Sequence, residues 1–121
     1  KLFDVIFVNG GNTFNLLYWV RRSGFDKTIK RLLKEGKTYV GLSAGSILAC
    51  PTIEVALWEG IDDSNVVELD NFKGLGLVNF YIFVHYLDKW RSLAQKEKKN
   101  LNRVLIRLTD QQAVTEKGLI I

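Results

Sequence analysis

The sequence contains no methionine and only one cysteine, one histidine and one proline among its 121 residues. A single cysteine excludes an internal disulfide, and the lone cysteine and histidine exclude metal sites built from several such ligands. No apolar run approaches the roughly 20 residues of a membrane-spanning helix, and the N-terminus does not resemble a signal peptide. We therefore expect a protein without a cofactor or membrane partner, in a reducing cytoplasm.

The charge balance argues against nucleic acid as a partner. The formal net charge is +4, and the densest basic run consists of Lys96, Lys98 and Lys99 with Glu97 among them. No aromatic residue is interleaved with these lysines, whereas a nucleic-acid site would concentrate the excess charge in one stripe. Such a short run is typical of a solvated helix end.

The length and composition predict one globular domain over residues 1–121. Apolar residues make up 47% and charged residues 25% of the chain, and no linker, repeat or low-complexity tract interrupts it. Methionine is absent even at position 1, and the chain opens directly in a strand-like apolar run. We expect a fragment of a longer protein, truncated at its N-terminus.

The hydrophobic pattern predicts strands alternating with helices. Predicted strands cover residues 2–8, 38–42, 75–84, 104–108 and 113–116. Predicted helices begin after Asn12 or Thr13, after Asp26, at Ser46 and at Asp88. This order implies βαβ units with right-handed crossovers and hence an α/β fold, three-layered around a mostly parallel sheet. The last two strands are expected to form an antiparallel edge.

One motif indicates nucleophilic chemistry. Residues 41–45 read Gly-Leu-Ser-Ala-Gly, a G-x-S-x-G placed between a predicted strand and a predicted helix. At such a turn the backbone is strained, and the hydroxyl of Ser43 is exposed above the sheet. The N–H groups that open the following helix can face an oxyanion. The alternative is an ordinary strand-to-helix turn whose serine caps the helix.

His85 is the only histidine and therefore the only histidine that could serve as base for Ser43. It follows the predicted strand 75–84, and the carboxyl ends of parallel strands lie at one edge of the sheet, where sites are built. The alternative is a structural histidine. A catalytic imidazole also needs an orienting carboxylate. Five of the acids between serine and histidine are equivalent on this argument: Glu59, Asp62, Asp63, Glu68 and Asp70.

A second glycine-rich turn, residues 9–12, follows the first predicted strand and so faces the same edge. Its glycines allow close backbone approach and place N–H groups at a helix start. It can supply an oxyanion donor, cradle a phosphate, or be a plain turn. A nucleotide site is disfavoured because neither G-x-G-x-x-G nor G-K-[ST] is present.

These segments together resemble the peptidase E family, relatives of cyanophycinase on a fold like that of class I glutamine amidotransferases. Residues 6–17 resemble its glycine-rich "GGGNT-F-x-L-L" segment, and residues 41–46 its "G-x-S-A-G" elbow. Later family segments are resembled, in the same order, by three stretches of this chain: Pro51 to Ile53, residues 75–78 leading to His85 and Tyr86, and residues 108–113. Family members have further βα units before the glycine-rich strand.

The resemblance implies a serine peptidase that cleaves short peptides after an N-terminal aspartate, without a metal. It assigns Ser43 as nucleophile, His85 as base and Asp63 as the acid, with Asp62 as the second choice. The oxyanion donors would be the N–H groups of Gly10, Gly11 and Ala44. The partner is a small peptide, and a homodimer is left open. The alternatives are a cyanophycinase-like or esterase activity, and a catalytically silent binding domain.

Overall fold

The computed structural model describes residues 2–61 and 63–121 as an α/β fold. Over these residues, strands and helices alternate along most of the chain. The strands are β1 Val5–Val8, β2 Thr38–Gly41, β3 Tyr81–Phe83 and β4 Leu105–Arg107. The helices are α1 Thr13–Arg22, α2 Phe25–Lys34, α3 Ala44–Leu48 and α4 Arg91–Glu97. Single turns of 3₁₀ helix occur at Glu54–Leu57, Asp88–Trp90 and Lys98–Asn100.

The strands form two parallel pairs. β1 pairs with β2 in the register Val5 opposite Thr38, and β3 pairs with β4 in the register Tyr81 opposite Leu105. In the described part of the chain these are two separate two-stranded sheets rather than one continuous sheet. The parallel α/β character predicted from the pattern is confirmed, whereas the antiparallel closing pair is wrong because residues 113–116 form no strand beside β4.

The predicted strands are all longer than those observed, and two of them differ most. Of residues 75–84, only Tyr81–Phe83 form a strand, because the backbone N–H groups of Leu75 and Leu77 donate to the carbonyls of Leu48 and Ala49 at the end of α3. Residues 113–116 form no strand. They fold back on the C-terminus through one antiparallel bridge between Val114 and Ile120.

The helix boundaries follow local chemistry. Asn12 caps α1, since its side-chain oxygen accepts from the Asn15 N–H at 2.8 Å. Helix α2 begins at Phe25 directly after Gly24, whose φ of 78° suits glycine, so the predicted cap Asp26 lies in the first turn instead. Helix α3 begins at Ala44, two residues before the predicted start, which places Ser43 at the end of the strand-to-helix turn.

The helices cover one face of the β1–β2 sheet. Ile6 and Val8 of β1 are buried in a cluster with side chains of α1, α2 and α3. The alternate residues Val5 and Phe7 are 50% and 59% exposed. A second apolar cluster surrounds Phe83 of β3. Within the described residues the β1–β2 sheet therefore has a helical layer on one face only. The expected three-layer arrangement stays a prediction.

Candidate active site

The turn between β2 and α3 is held by close backbone packing around two glycines. A Cβ atom on Gly41 would lie 2.5 Å from the carbonyl oxygen of Gly45. A Cβ atom on Gly45 would collide with the carbonyl oxygen of Val8 at the end of β1. Tyr39 secures the turn from the side, because its hydroxyl donates to the Gly45 carbonyl at 2.6 Å. The two glycines of the motif are thus required for packing.

Ser43 occupies a strained backbone conformation at this turn. Its φ is 56° and its ψ is −114°, in a region that side-chain-bearing residues rarely adopt. Such strain costs about 1–3 kcal/mol and is typical of functional sites. Ser43 stands at the N-cap of α3, yet its side chain makes no capping hydrogen bond. The alternative of a serine that merely caps the helix therefore does not describe this turn.

His85 lies directly against Ser43. The Ser43 Oγ and His85 Nε2 atoms are 2.9 Å apart, although the residues are separated by 42 positions in sequence. His85 comes two residues after β3 and also has a positive φ, 53°. The two side chains therefore meet beyond the carboxyl ends of their strands, as predicted. Their catalytic roles stay a prediction.

The other imidazole nitrogen contacts Asp110. His85 Nδ1 and Asp110 Oδ1 are 2.6 Å apart. Asp110 follows β4 in a turn braced by Gln112, whose side-chain oxygen accepts from the Thr109 N–H at 3.0 Å. Because a carboxylate only accepts, Nδ1 carries the proton and Nε2 is left to accept from the serine hydroxyl. Ser43, His85 and Asp110 thus form one hydrogen-bonded chain.

This hydrogen-bonded chain is open to solvent. The side chains of His85 and Asp110 are 59% and 68% exposed, and Ser43 is half-buried. Water therefore screens the interaction between the carboxylate and the imidazole. The effect of Asp110 is chiefly to fix the ring orientation and the tautomer rather than to supply a large electrostatic energy.

The structure corrects the expected position of Asp63. Its carboxylate oxygens accept from the Thr13 N–H, at 3.2 and 3.3 Å, at the start of α1. Both nitrogens of His85 are engaged by Ser43 and Asp110, so Asp63 does not orient the imidazole. The second choice, Asp62, lies outside the described residues. The sequence did carry a signal for Asp110, since it too follows an apolar strand and so reaches the same sheet edge.

The candidate oxyanion donors differ in availability. The Gly10 N–H donates to the side-chain oxygen of Asn9 at 2.8 Å, so it is not free for a substrate. A Cβ atom on Gly10 would lie 3.1 Å from the Cβ of Ser43. Glycine at position 10 therefore lets the backbone of this turn approach the serine closely. Within residues 2–61 and 63–121, the N–H groups of Gly11 and Ala44 have no protein acceptor. These two remain the candidate donors.

A cleft of about 800 Å³ opens beside the triad. Its walls are the exposed edge of β2, the segment 77–85 and the segment 108–116. Most side chains on these walls are apolar, and Lys37 is the only lysine or arginine among them in the described part of the chain. The cleft therefore offers an apolar surface that reaches the Ser43 hydroxyl.

The described residues hold no group of three or more histidine, cysteine, aspartate or glutamate side chains that could bind a metal ion. Nor does any helix within the described ranges have the length and apolar character to cross a membrane.

Comparison with known proteins places these motifs in a family. The sequence profile of peptidase family S51 matches residues 1–120. An uncharacterized peptidase of Listeria innocua is 34% identical over 127 positions, covering 93% of this chain and 59% of that protein. Peptidase E of Streptomyces coelicolor is 39% identical over 85 positions, covering 70% of this chain and 33% of that protein.

A solved structure agrees with these sequence matches. The crystal structure of a candidate peptidase E protein from Listeria monocytogenes aligns with a TM-score of 0.78 and 32% identity, covering 98% of this chain and 58% of that one. The chain thus spans under three fifths of the Listeria proteins. The resemblance to peptidase E drawn from the motifs is confirmed. Because the family profile covers nearly the whole sequence, the chain belongs to peptidase family S51.

Proposed function

We propose that this chain carries the catalytic centre of a serine peptidase that acts on short peptides. The observation that supports the proposal best is the hydrogen-bonded chain from Ser43 Oγ through His85 to Asp110. It is built on a strained strand-to-helix turn, as in hydrolases that use an exposed serine nucleophile. The alternative of a silent binding domain gives no reason for two strained residues, Ser43 and His85, to meet.

The proposed reaction follows the acyl-enzyme route. His85 Nε2 takes the proton of Ser43 Oγ as that oxygen attacks the scissile carbonyl carbon. The oxyanion accepts hydrogen bonds from the N–H groups of Gly11 and Ala44. The protonated imidazole then gives its proton to the departing amine. A water molecule, deprotonated by His85, attacks the acyl group and releases Ser43.

Asp110 holds the imidazole in the tautomer that this sequence of proton transfers needs. With Nδ1–H directed at the carboxylate, Nε2 faces the serine with its lone pair. Asp110 also stabilises the positive charge that the ring acquires after it takes the serine proton. Asp63 can do neither, because its carboxylate is held at the start of α1.

For the substrate we propose peptides with aspartate at the N-terminus, as the resemblance to peptidase E implies. A substrate carboxylate requires a cation near Ser43. Lys37 lines the cleft but precedes β2, at the end of the strand opposite Ser43. Its ammonium group is also 3.4 Å from the Asp4 carboxylate. No other lysine or arginine among the described residues lines the cleft, so its described walls offer an aspartyl substrate no unpaired cation.

A second candidate function, an esterase activity, is favoured by the apolar walls of the cleft. An apolar acyl group would bury surface there without leaving a carboxylate unpaired, and burial contributes about 25 cal/mol per Å² of apolar area. The same Ser43, His85 and Asp110 would serve this reaction.

Two assays test these alternatives in order. A fluorophosphonate probe reports whether Ser43 is nucleophilic, with Ser43→Ala as the control that must abolish labelling. A panel of dipeptide amides with Asp, Glu, Asn, Leu or Lys in first place, run beside short-chain esters, then defines the substrate. We expect labelling and preferential release of aspartate. Equal cleavage of Leu and Asp peptides, or hydrolysis of esters alone, would refute the aspartyl specificity while retaining Ser43.

A further inference from the structure

The loop that contains Asp63 is attached to the start of α1 at two points. The Asp63 carboxylate accepts from the Thr13 N–H. One residue later, the carbonyl of Ser64 accepts from the side-chain nitrogen of Asn12 at 2.8 Å. Fifty positions of sequence separate Thr13 from Asp63, so these contacts fix a distant loop to this helix end.

The position of Asp63 is electrostatically favourable. The first N–H groups of a helix have no acceptor within the helix, and the helix dipole places partial positive charge there. Thr13 is almost fully buried, at 1% exposure, so an unpaired N–H at this point would be costly. The carboxylate of Asp63 satisfies that N–H and supplies the negative charge that a helix N-terminus prefers.

The anchored helix end adjoins the candidate oxyanion turn. Only Asn12 separates Thr13 from Gly11, and Gly10 packs closely against Ser43, since a Cβ atom on Gly10 would lie 3.1 Å from the Cβ of Ser43. Gly11 has a φ of 128°, a conformation that glycine tolerates but does not enforce. The direction of the Gly11 N–H therefore depends on how firmly the first turn of α1 is held.

We propose that Asp63 is a positioning residue of the active site, which orders the Gly10–Gly11 turn by anchoring the N-terminus of α1. It acts through Thr13 and does not touch the reacting atoms. This inference rests on the proposed function only in its effect on rate, because the anchoring itself can be measured without a substrate. It differs from the triad role that the resemblance implied, in which the charge of Asp63 would be indispensable.

The amide isostere separates the two roles. In Asp63→Asn the side-chain oxygen can still accept from the Thr13 N–H, whereas in Asp63→Ala no acceptor remains. Asp70→Asn is the matched control, since Asp70 is an exposed carboxylate of the same segment. For each variant of the full chain we would measure the rate constant of fluorophosphonate labelling at several pH values and hydrogen exchange at residues 10–13.

In Asp63→Ala we expect faster exchange at the Thr13 and Gly11 amides and labelling slowed about 10- to 100-fold, the usual effect of a displacement near 1 Å. The pH midpoint of labelling should not move, because His85 keeps both partners. Asp63→Asn should stay within about threefold of the original chain, since a neutral acceptor is weaker than a charged one but still present. The Asp70→Asn control should match the original in both measurements.

The inference is overturned if Asp63→Ala exchanges and reacts like the original chain. It is equally overturned if Asp63→Asn reacts as slowly as Asp110→Asn with an altered pH profile, which would make Asp63 the triad acid. If the original chain is not labelled at all, the proposed function fails instead. Hydrogen exchange alone then tests whether Asp63 anchors the start of α1. Faster exchange at Thr13 in Asp63→Ala supports the anchoring, and unchanged exchange refutes it.

Discussion

Replacing Asp110 by asparagine removes the charge from the candidate triad while preserving the size of the side chain. The asparagine can present either its oxygen or its NH₂ group to His85 Nδ1. If it presents NH₂, Nδ1 must accept, the proton moves to Nε2, and the ring can no longer take the proton of Ser43. In a buried triad the equivalent change lowers kcat about 10⁴-fold.

The effect should be smaller in this protein. The Asp110 side chain is 68% exposed, so water can substitute for part of its interaction with the imidazole. We therefore expect acylation of Ser43 to slow about 10²- to 10³-fold in Asp110→Asn, which corresponds to about 3–4 kcal/mol of transition-state stabilisation. The fold should be unaffected, because the hydrogen-bond partner of this carboxylate among the described residues is the exposed ring of His85.

The assay is the rate constant of labelling by a fluorophosphonate, followed by mass spectrometry of the peptide that contains Ser43. Thermal unfolding of the same samples shows whether the variant remains folded. A matched control is Asp88→Asn, an exposed carboxylate that lies 3.2 Å from the guanidinium group of Arg91. If Asp110→Asn reacts as fast as this control, the carboxylate has no part in setting the tautomer and the argument for a triad is wrong.

Two further predictions concern the packing around the elbow. Gly45→Ala should lower the free energy of unfolding by several kcal/mol or prevent folding, because the added methyl group meets the Val8 carbonyl. Denaturation in urea measures this free energy. A loss below about 1 kcal/mol would contradict the close packing around Gly45. Burial raises the pKa of the Cys50 thiol from 9.0 to about 12. Above pH 9 the unfolded chain therefore loses this proton while the folded chain keeps it, and stability should fall by about 1.4 kcal/mol per pH unit from this group. The fall should be shallower in Cys50→Ala, and an identical pH dependence in both chains would refute the cause.

The features that follow local rules were predictable from sequence. The Asn12 cap, the carboxyl end of β1, the start of β2 and the elbow around Ser43 depend on neighbouring residues, so periodicity and turn chemistry identify them. The contact between Ser43 and His85 was predicted from the rule that parallel strands of one sheet end at a common edge. In the described residues β2 and β3 belong to separate two-stranded sheets, and the two side chains still meet beyond the carboxyl ends of both strands.

The features that depend on long-range contacts were not predictable in the same way. The apolar run from Leu75 predicts a strand, but its first N–H groups donate to carbonyls at the end of α3. Asp63 and Asp110 are both acids in polar segments, and the spacing of the chain does not show which one reaches His85. That choice is made by the parallel pairing of β3 with β4, which brings the turn after β4 beside the imidazole.

The most direct test of the account is the reactivity of Ser43 itself. The full chain would be incubated with a fluorophosphonate, beside Ser43→Ala, His85→Ala and Ser46→Ala. Ser46 is a suitable control because it lies in α3, the helix that begins directly after Ser43. Its hydroxyl donates a hydrogen bond to the Gly41 carbonyl at 2.8 Å. We predict one adduct on Ser43, retained in Ser46→Ala, absent in Ser43→Ala and slowed at least about 10³-fold in His85→Ala. Labelling of Ser43 that is independent of His85, or no labelling of a folded chain, would contradict the account.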